Sequence, residues 1–188
     1  MADNGTSAAP IELRVESVSQ LFNTLDPFPF PERDLDTDAE EYIVGWAREL
    51  PRDQPIGIVI HLPAKELANQ DPQAFAPALN RYFDYRAGIV RGDLNELFRV
   101  GRTALVIGLS VLAFCSVAAQ FPERIFGETP FSRFLQESLI ILGWVANWKP
   151  IEIFLYDWWP LMRRRNLYRR LAEAKVQFKP YEARSESG

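Results

Sequence analysis

The chain has 188 residues but only one cysteine and one histidine. A single cysteine cannot form an intramolecular disulfide, which excludes the small disulfide-stabilised class. Cys115 lies inside an apolar run, so a transition-metal site would need several carboxylates, and we expect no metal. The sequence also has no glycine-rich nucleotide motif, Walker loop, HExxH pattern or nucleophile motif. We therefore expect no catalytic constellation and no cofactor, and a chain that is not an enzyme.

Acidic and basic residues are distributed unevenly, although the formal net charge of the whole chain is only −4. Residues 1–90 carry a net charge of −8, and residues 91–188 carry a net charge of +4. Such an asymmetry usually indicates parts of a protein with different tasks.

Charge is absent from residues 103–122, with the sequence TALVIGLSVLAFCSVAAQFP. A helix needs about 20 apolar residues to cross a hydrocarbon layer of roughly 30 Å. The run predicts a transmembrane helix over about 103–121. The alternative is the core helix of a globular domain, which is usually shorter and polar on one face.

A second apolar segment covers residues 134–160, and its longest uncharged part is 138–148. Its far end is rich in aromatic residues that prefer the membrane interface: Trp144, Trp148, Tyr156, Trp158 and Trp159. We predict a second span over about 132–154, which forms a helical hairpin with the first. A re-entrant or interfacial segment is the alternative.

Basic residues predict the orientation of this hairpin. Arg91, Arg99 and Arg102 precede the first span, only Arg124 and Arg133 lie between the spans, and seven cations follow from Arg163 to Lys179. The positive-inside rule places both termini in the cytoplasm. Residues 1–10 lack the basic and apolar regions of a signal peptide and are expected to form a disordered tail.

Residues 11–100 predict a small cytoplasmic α/β domain. Residues 11–15 alternate apolar and polar side chains, and residues 55–63 are strand formers bounded by prolines. A helix between them, over about 38–50, implies a crossover and parallel pairing of the two strands. Two strands make a thin sheet, so we expect a partner or a second copy to complete it. A long helix then runs from about Asp71 into the first span.

The predicted helix 38–50 has a start signal, because Thr37 and Glu40 have the spacing of a capping box. Its expected apolar face is Ala39, Tyr42, Ile43, Trp46 and Leu50. The acidic run from Asp34 to Glu41 also has the spacing of a calcium loop. However, Ala39 and Gly45 occupy the places where such a loop needs glycine and glutamate, so helix capping is the favoured interpretation.

His61 ends the second strand, a place where active-site residues often lie in α/β folds. No second histidine accompanies it. A structural or surface role is therefore the favoured interpretation.

Four polar residues recur at helical spacing near the end of the second span: Lys149, Glu152, Tyr156 and Asp157. Lys149 and Glu152 are close enough to pair. Ionisable residues near a membrane indicate a proton or ion pathway, but this stripe lies at the cytoplasmic end, where anchoring at the interface is the simpler interpretation.

Small residues line one face of the first span: Ala104, Gly108, Cys115 and Ala119. Such a face lets helices approach closely. Its partner is the second span, through Gly143 and Ala146, or another copy or another membrane protein.

Residues 161–188 predict a basic amphipathic cytoplasmic tail, helical over RRRNLYRRLAEAKVQFK. We expect five arginines to contact anionic lipid headgroups: Arg163, Arg164, Arg165, Arg169 and Arg170. The acidic domain and the nearby membrane argue against nucleic acid as a partner.

The segments SQLFNTLDPFPFPERDLDTDAEEYIVGWARELP, GIVIHLP and LGWVANWKPIEIFLYDWWPL resemble a family of uncharacterised bacterial proteins with a cytoplasmic N-terminal domain and two inner-membrane helices. The resemblance covers about residues 11–171 and implies no activity. Together with the residue patterns it predicts a membrane-anchored interaction or scaffold protein, which binds another protein or itself. An accessory subunit or small oligomeric transporter that uses the polar stripe is the alternative.

Overall fold

The computed structural model describes residues 10–22, 34–69 and 72–181. The fold is mixed α/β and mostly helical. The chain divides into two compact units: the first contains Met1–Ile89 and Arg164–Gly188, and the second contains Val90–Arg163. The C-terminal segment thus belongs to the same unit as the N-terminal strands.

The first unit contains a three-stranded parallel sheet in the order β1 (Pro10–Arg14), β2 (Gly57–Pro63) and β3 (Lys175–Tyr181). The parallel pairing expected for β1 and β2 is confirmed. The expected helix is wrong for residues 175–179, because residues 175–181 pair with β2 as a strand. Their sequence KVQFKPY alternates polar with apolar residues, and this two-residue period suits a strand rather than a helix.

The two faces of the sheet differ in polarity. Successive side chains of a strand point to opposite faces, and one face is buried, with Ile11, Ile58 and Ile60 at most 2% exposed. The ring of Phe178 on this face packs edge to face against Phe75, with centroids 5.1 Å apart. The opposite face carries Glu12, Arg14, His61, Gln177 and Lys179.

Helix α1 (Thr37–Glu49) differs from its expected cap and face. The cap is Asp36, whose carboxylate accepts a hydrogen bond from the amide of Asp38 at 3.0 Å. The prediction of Thr37 and Glu40 as a capping box is therefore wrong. The expected apolar face is also rotated: Ile43, Val44 and Ala47 are buried, whereas Tyr42 and Trp46 are 46% and 49% exposed.

The remaining elements are helical. The short helix α2 (Ala64–Asn69) follows β2, and α3 (Pro72–Ala118) is 47 residues long. The following elements are α4 (Phe121–Phe126), α5 (Pro130–Val145), α6 (Trp148–Glu152), a π-helical turn (Ile153–Asp157) and α7 (Trp158–Ala172). Two continuous helical stretches, Phe75–Phe126 and Pro130–Ala172, are long and apolar enough to cross a membrane.

The second of these stretches begins at a well-formed cap. The amide of Ser132 donates to Thr129 Oγ1 at 3.2 Å, and the amide of Thr129 donates to Ser132 Oγ at 3.1 Å. Two amides that the helix itself leaves unpaired are thus satisfied, and Pro130 lies in the first turn, where a proline costs no hydrogen bond.

Candidate functional site

Large apolar side chains cover the outside of the second unit. Phe114 is 72% exposed, Trp148 is 70% exposed and Val106 is 66% exposed. Only 17% of the most apolar window of the first long helix is buried, and only 22% of that of the second. A core helix of a globular protein would instead be mostly buried. Much of the exterior of this unit is therefore apolar.

The inside of the second unit is a close contact between α3 and the helix that begins at Pro130. Gly101, Gly108 and Cys115 are buried at seven-residue intervals, the spacing of helices that wind around each other. A Cβ atom on Gly108 would lie 2.7 Å from Asn147 Oδ1, and one on Gly143 would lie 2.9 Å from Leu112 Cδ1. These glycines therefore allow the two backbones to approach.

The four small residues expected to form a helix-packing face are placed as follows. Gly108 and Cys115 face the partner helix, and a Cβ on Gly143 would lie 3.3 Å from Cys115 Cβ. Ala119 is buried, at 3% exposure, and Ala104 is half-buried. The second helix of the same chain thus occupies this face at Gly108 and Cys115.

Sequence reasoning missed Asn147. Its side chain is only 5% exposed, and its amide nitrogen donates to the carbonyl oxygens of Gly108 at 3.1 Å and Gly143 at 2.9 Å. One bond crosses to the neighbouring helix, and the other satisfies a carbonyl where α5 ends. The sequence feature that could have identified Asn147 is a polar amide side chain within an apolar run, four residues after a glycine.

Three residues of the polar stripe lie together. Lys149 Nζ is 3.0 Å from Glu152 Oε2 and 3.5 Å from Asp157 Oδ2. The π-helical turn adds a residue to one turn, which brings Asp157 to the side of the helix that carries Lys149. Tyr156 is 69% exposed, and within the described residues no hydrogen bond joins it to the other three.

The arginines expected at lipid headgroups have different surroundings. The Arg163 guanidinium carbon lies 5.7 Å from the ring centroid of Trp159, and Arg164 donates to the hydroxyl of Tyr168 at 3.4 Å. Arg165 is half-buried and Arg169 is exposed. Arg170 donates to the carbonyls of Pro51 at 2.7 Å and Gln54 at 2.9 Å, so its guanidinium binds the loop before β2.

A partly buried hydrogen-bond centre surrounds Glu40 in the first unit. Its carboxylate accepts hydrogen bonds from the hydroxyls of Tyr82 and Tyr168, each at 2.7 Å, and from Arg86 Nε at 3.0 Å. These donors lie on α3 and α7, so one carboxylate on α1 joins three helices. Sequence reasoning assigned Glu40 to a capping box and missed this role.

This centre shifts the ionisation of its members. Burial alone would raise the pKa of Glu40, but the hydrogen bonds from Tyr82, Tyr168 and Arg86 outweigh burial and hold the pKa below its ordinary value of 4.5. Burial and the neighbouring carboxylate raise the pKa of Tyr82 well above its ordinary range. Glu40 is therefore a carboxylate and Tyr82 a neutral donor at neutral pH.

An open cleft lies at the carboxyl ends of the three strands, with a volume of about 470 Å³. Parallel strands end at the same edge of a sheet, and ligands of α/β proteins commonly bind there. Every strand contributes to the lining, together with one residue of α1: Glu12, Leu13, Arg14, Tyr42, His61 and Tyr181.

His61, which sequence reasoning singled out, lies in this cleft. Its Nε2 atom is buried and lies 3.5 Å from Glu12 Oε2, and it has no hydrogen-bond partner in the part of the chain that the structure describes. The guanidinium carbon of Arg14 lies 4.1 Å from the ring centroid of Tyr181. The hydroxyls of Tyr42 and Tyr181 donate to the carbonyls of Glu12 at 3.3 Å and Val15 at 3.5 Å.

Metal-binding side chains are not clustered in the part of the chain that the structure describes: it contains no group of three or more His, Cys, Asp or Glu residues that could hold an ion. Of the acidic residues from Asp34 to Glu41, Asp36 caps α1, and Asp38, Glu40 and Glu41 lie in its first turns. No protein-family model, no curated protein and no solved structure matches this chain.

Proposed function

We propose that the chain is a membrane-anchored interaction protein of the bacterial inner membrane. The apolar exterior of the second unit is the observation that carries the proposal. Side chains such as Phe114 and Trp148 are exposed to an extent that would promote aggregation in water but is favourable in lipid. The helical hairpin is the anchor, and the α/β unit binds the partner.

The distribution of basic residues supports an orientation with both termini in the cytoplasm. Three arginines precede the first apolar segment and seven cations follow the second, whereas only Arg124 and Arg133 lie in the connection. The resemblance to uncharacterised bacterial two-span proteins supports the same location.

Cysteine labelling in intact cells tests this topology. In a Cys115→Ser background, the variant Glu128→Cys should react with a membrane-impermeant maleimide added outside. The matched variant Asn166→Cys should react only after the membrane is permeabilised. Labelling of Asn166→Cys in intact cells would overturn the orientation, and release of the chain from membranes by alkaline carbonate would overturn the anchor.

The exposed side of α1 supports binding of a protein partner. Tyr42 and Trp46 form an exposed aromatic pair, with ring centroids 6.2 Å apart, and the exposed Glu41 and Glu49 lie beside them. Exposed aromatic residues are enriched where proteins bind each other. The first unit as a whole carries a net charge of −4, because the basic C-terminal segment offsets half of the N-terminal acidity.

Crosslinking in native membranes, read by mass spectrometry, tests the partner. We expect one reproducible crosslinked species that Trp46→Ala abolishes. The matched variant Arg48→Ala, on the same exposed part of α1, should retain it. A crosslink that survives Trp46→Ala would place the partner elsewhere.

A second candidate function is an accessory subunit of a transport system. The cluster of Lys149, Glu152 and Asp157 around a π-helical turn favours it, since such turns often lie at functional sites. Two helices cannot enclose a pathway, so this function requires oligomers. Loss of a proton-dependent flux in Glu152→Gln, with the flux retained in the loop variant Glu128→Gln, would support it, and an unchanged flux would exclude it.

A further inference from the structure

We propose that the cleft at the carboxyl edge of the sheet binds a small zwitterion, a molecule with a carboxylate at one end and an amine at the other. Arg14 receives the carboxylate and Glu12 receives the amine. This binding site is additional to the membrane anchor, and it shares Tyr42 with the aromatic pair on α1.

The two charges belong to one strand and one face. Glu12 and Arg14 are two residues apart on β1, so their Cα atoms are about 7 Å apart and their side chains point the same way. Both residues are exposed, and among the described residues no ion pair joins them. Two opposite charges on one face of a strand that do not pair with each other match a ligand with the reverse arrangement of charges.

The guanidinium of Arg14 is held in place for a carboxylate. Its carbon lies over the ring of Tyr181, 4.1 Å from the centroid, and the hydroxyl of that ring donates a long hydrogen bond of 3.5 Å to the carbonyl of Val15. A guanidinium over an aromatic ring can still donate from its N–H groups. A carboxylate can then accept two parallel hydrogen bonds.

The imidazole of His61 supplies a partner for the amine. The strand register places His61 beside Arg14. Its buried Nε2 atom lies 3.5 Å from the Glu12 carboxylate and has no hydrogen-bond partner among the described residues. Buried polar atoms nearly always have a partner. When the exposed Glu12 side chain rotates to bind an amine, the amine can donate a hydrogen bond to Nε2.

The size and walls of the cleft also fit a small charged ligand. Its volume of about 470 Å³ falls within the range of roughly 300–1,000 Å³ for small-molecule sites. The hydroxyl of Tyr42 is fixed on the carbonyl of Glu12, so that wall is already ordered before binding. The lining includes an arginine, a glutamate, a histidine and two tyrosines, which favours a polar ligand over an apolar one.

The single histidine makes a direct test possible. In the full chain, purified in detergent and labelled with [13C-ε1]histidine, the NMR spectrum contains one imidazole signal, from His61. The probes are ω-amino acids with one to five methylene groups, and acetate and methylammonium are controls that carry one charge each. We expect a saturable shift of the signal, strongest at an intermediate chain length, with a dissociation constant at least about tenfold below either control.

Charge-neutral variants identify the binding groups. Arg14→Gln and Glu12→Gln should each raise the dissociation constant about tenfold or more. The controls Arg48→Gln and Glu49→Gln, on the exposed side of α1, should leave it unchanged. Glu12→Asp, which shortens the side chain by one methylene, should shift the preferred ligand to one that is a methylene longer.

Three outcomes would overturn the site: no saturable shift at millimolar concentration, an equal shift with acetate alone, or unchanged binding in both charge-neutral variants. The measurement needs no lipid bilayer. Failure here therefore leaves the proposed membrane anchor intact, and failure of the topology experiment leaves this site intact.

Discussion

At the scale of single residues, Glu40 shows how one half-buried carboxylate can connect three helices. Three donors from two other helices converge on it, and the most distant, Tyr168, lies 128 residues away in sequence. A buried acceptor left without donors, or donors left without their acceptor, costs about 1–3 kcal/mol. The centre therefore fixes the positions of α1, α3 and α7 within the first unit.

We predict that Glu40→Gln lowers the free energy of unfolding by about 1–3 kcal/mol at neutral pH, because a neutral amide accepts these hydrogen bonds less strongly. The folded-state pKa of Glu40 lies below 4.5. Its ionisation therefore stabilises the fold above that pH, and the contribution is lost as the pH falls through the folded-state pKa.

Thermal unfolding followed by circular dichroism over a pH series measures this contribution. The difference between the native chain and Glu40→Gln should be constant above about pH 5 and should narrow on further acidification. The exposed neighbour provides the control, since Glu41→Gln should melt like the native chain. A difference that widens in acid would contradict the assignment.

Two glycines of α3 offer a matched prediction for the second unit. Gly108→Ala should destabilise the hairpin by about 1–3 kcal/mol, because its Cβ would lie 2.7 Å from Asn147 Oδ1 and 2.9 Å from the carbonyl of Ala146. Gly92→Ala should be neutral or stabilising by up to about 1 kcal/mol, since nothing lies within 4 Å of its Cβ. Melting temperatures in detergent compare the two, and equal effects would refute close packing at Gly108.

At the scale of elements, β3 gives the sheet three strands, where the sequence predicts only two. The chain supplies its own third strand from residues 175–181.

Both edges of the sheet carry a proline. The backbone N–H of Lys175 donates to the carbonyl of Ile56. Because backbone groups alternate sides along a strand, the backbone nitrogen of Pro180 faces the free edge of β3. Pro10 occupies the equivalent outer position on β1, and Tyr42 binds the outward carbonyl of Glu12. Prolines at both edges oppose further strand pairing, so a partner is not needed to complete the sheet.

We predict that Phe178→Ala lowers the free energy of unfolding of the first unit by about 2 kcal/mol, because the half-buried ring loses its packing against Phe75. The neighbouring exposed side chain is the control, and Lys179→Ala should change the free energy little. Urea unfolding in detergent measures both variants. Equal stability of the two would mean that β3 contributes little to the core.

At the scale of the whole molecule, the first unit is built from both ends of the chain. Residues 164–181 contribute Leu171 and Tyr168 to the core and β3 to the sheet. The basic segment expected to lie on lipid therefore folds with the acidic N-terminal part, at least through Tyr181. The second unit is neutral in net charge, so the basic C-terminal segment offsets half of the N-terminal acidity within the first unit, which keeps a net charge of −4.

A fragment of residues 1–100 tests this discontinuous unit. We predict that it does not fold cooperatively in water, because it lacks α7, β3 and the hydroxyl that Tyr168 donates to Glu40. Circular dichroism and the dispersion of amide NMR signals, compared with those of the full chain in detergent, measure this. A sharp, cooperative thermal transition of the fragment would show that the C-terminal segment is dispensable.

Much of the fold could be predicted from the sequence, because the relevant patterns are local. Alternation identified β1 and β2, and a charge-free run identified the first of the two helices long and apolar enough to cross a membrane. The strand KVQFKPY also alternates, but it follows a strongly helical arginine-rich segment and was assigned to the same helix. Asp36 and Thr37 are both good caps, and only the backbone distinguishes them.

The candidate sites were less predictable from the sequence, because their residues are distant from one another in the chain. The sequence drew attention to His61 and to the polar residues from Lys149 to Asp157. It could not show that Glu12, Arg14 and Tyr181 surround His61, because these residues come from strands far apart in the chain. Nor could it show that Asn147 reaches Gly108, since that contact depends on how two helices pack.

The sequence by itself determined that one charge-free segment is long and apolar enough to cross a membrane and that the two N-terminal strands run parallel. Hydropathy and side-chain period are properties of neighbouring residues. Only the tertiary structure decided that the C-terminal segment supplies the third strand, that Glu40 joins three helices, and that the strand ends enclose a charged cleft. Each of these depends on contacts between residues that are distant in sequence. Such contacts form because packing in three dimensions satisfies buried polar groups and apolar surfaces together.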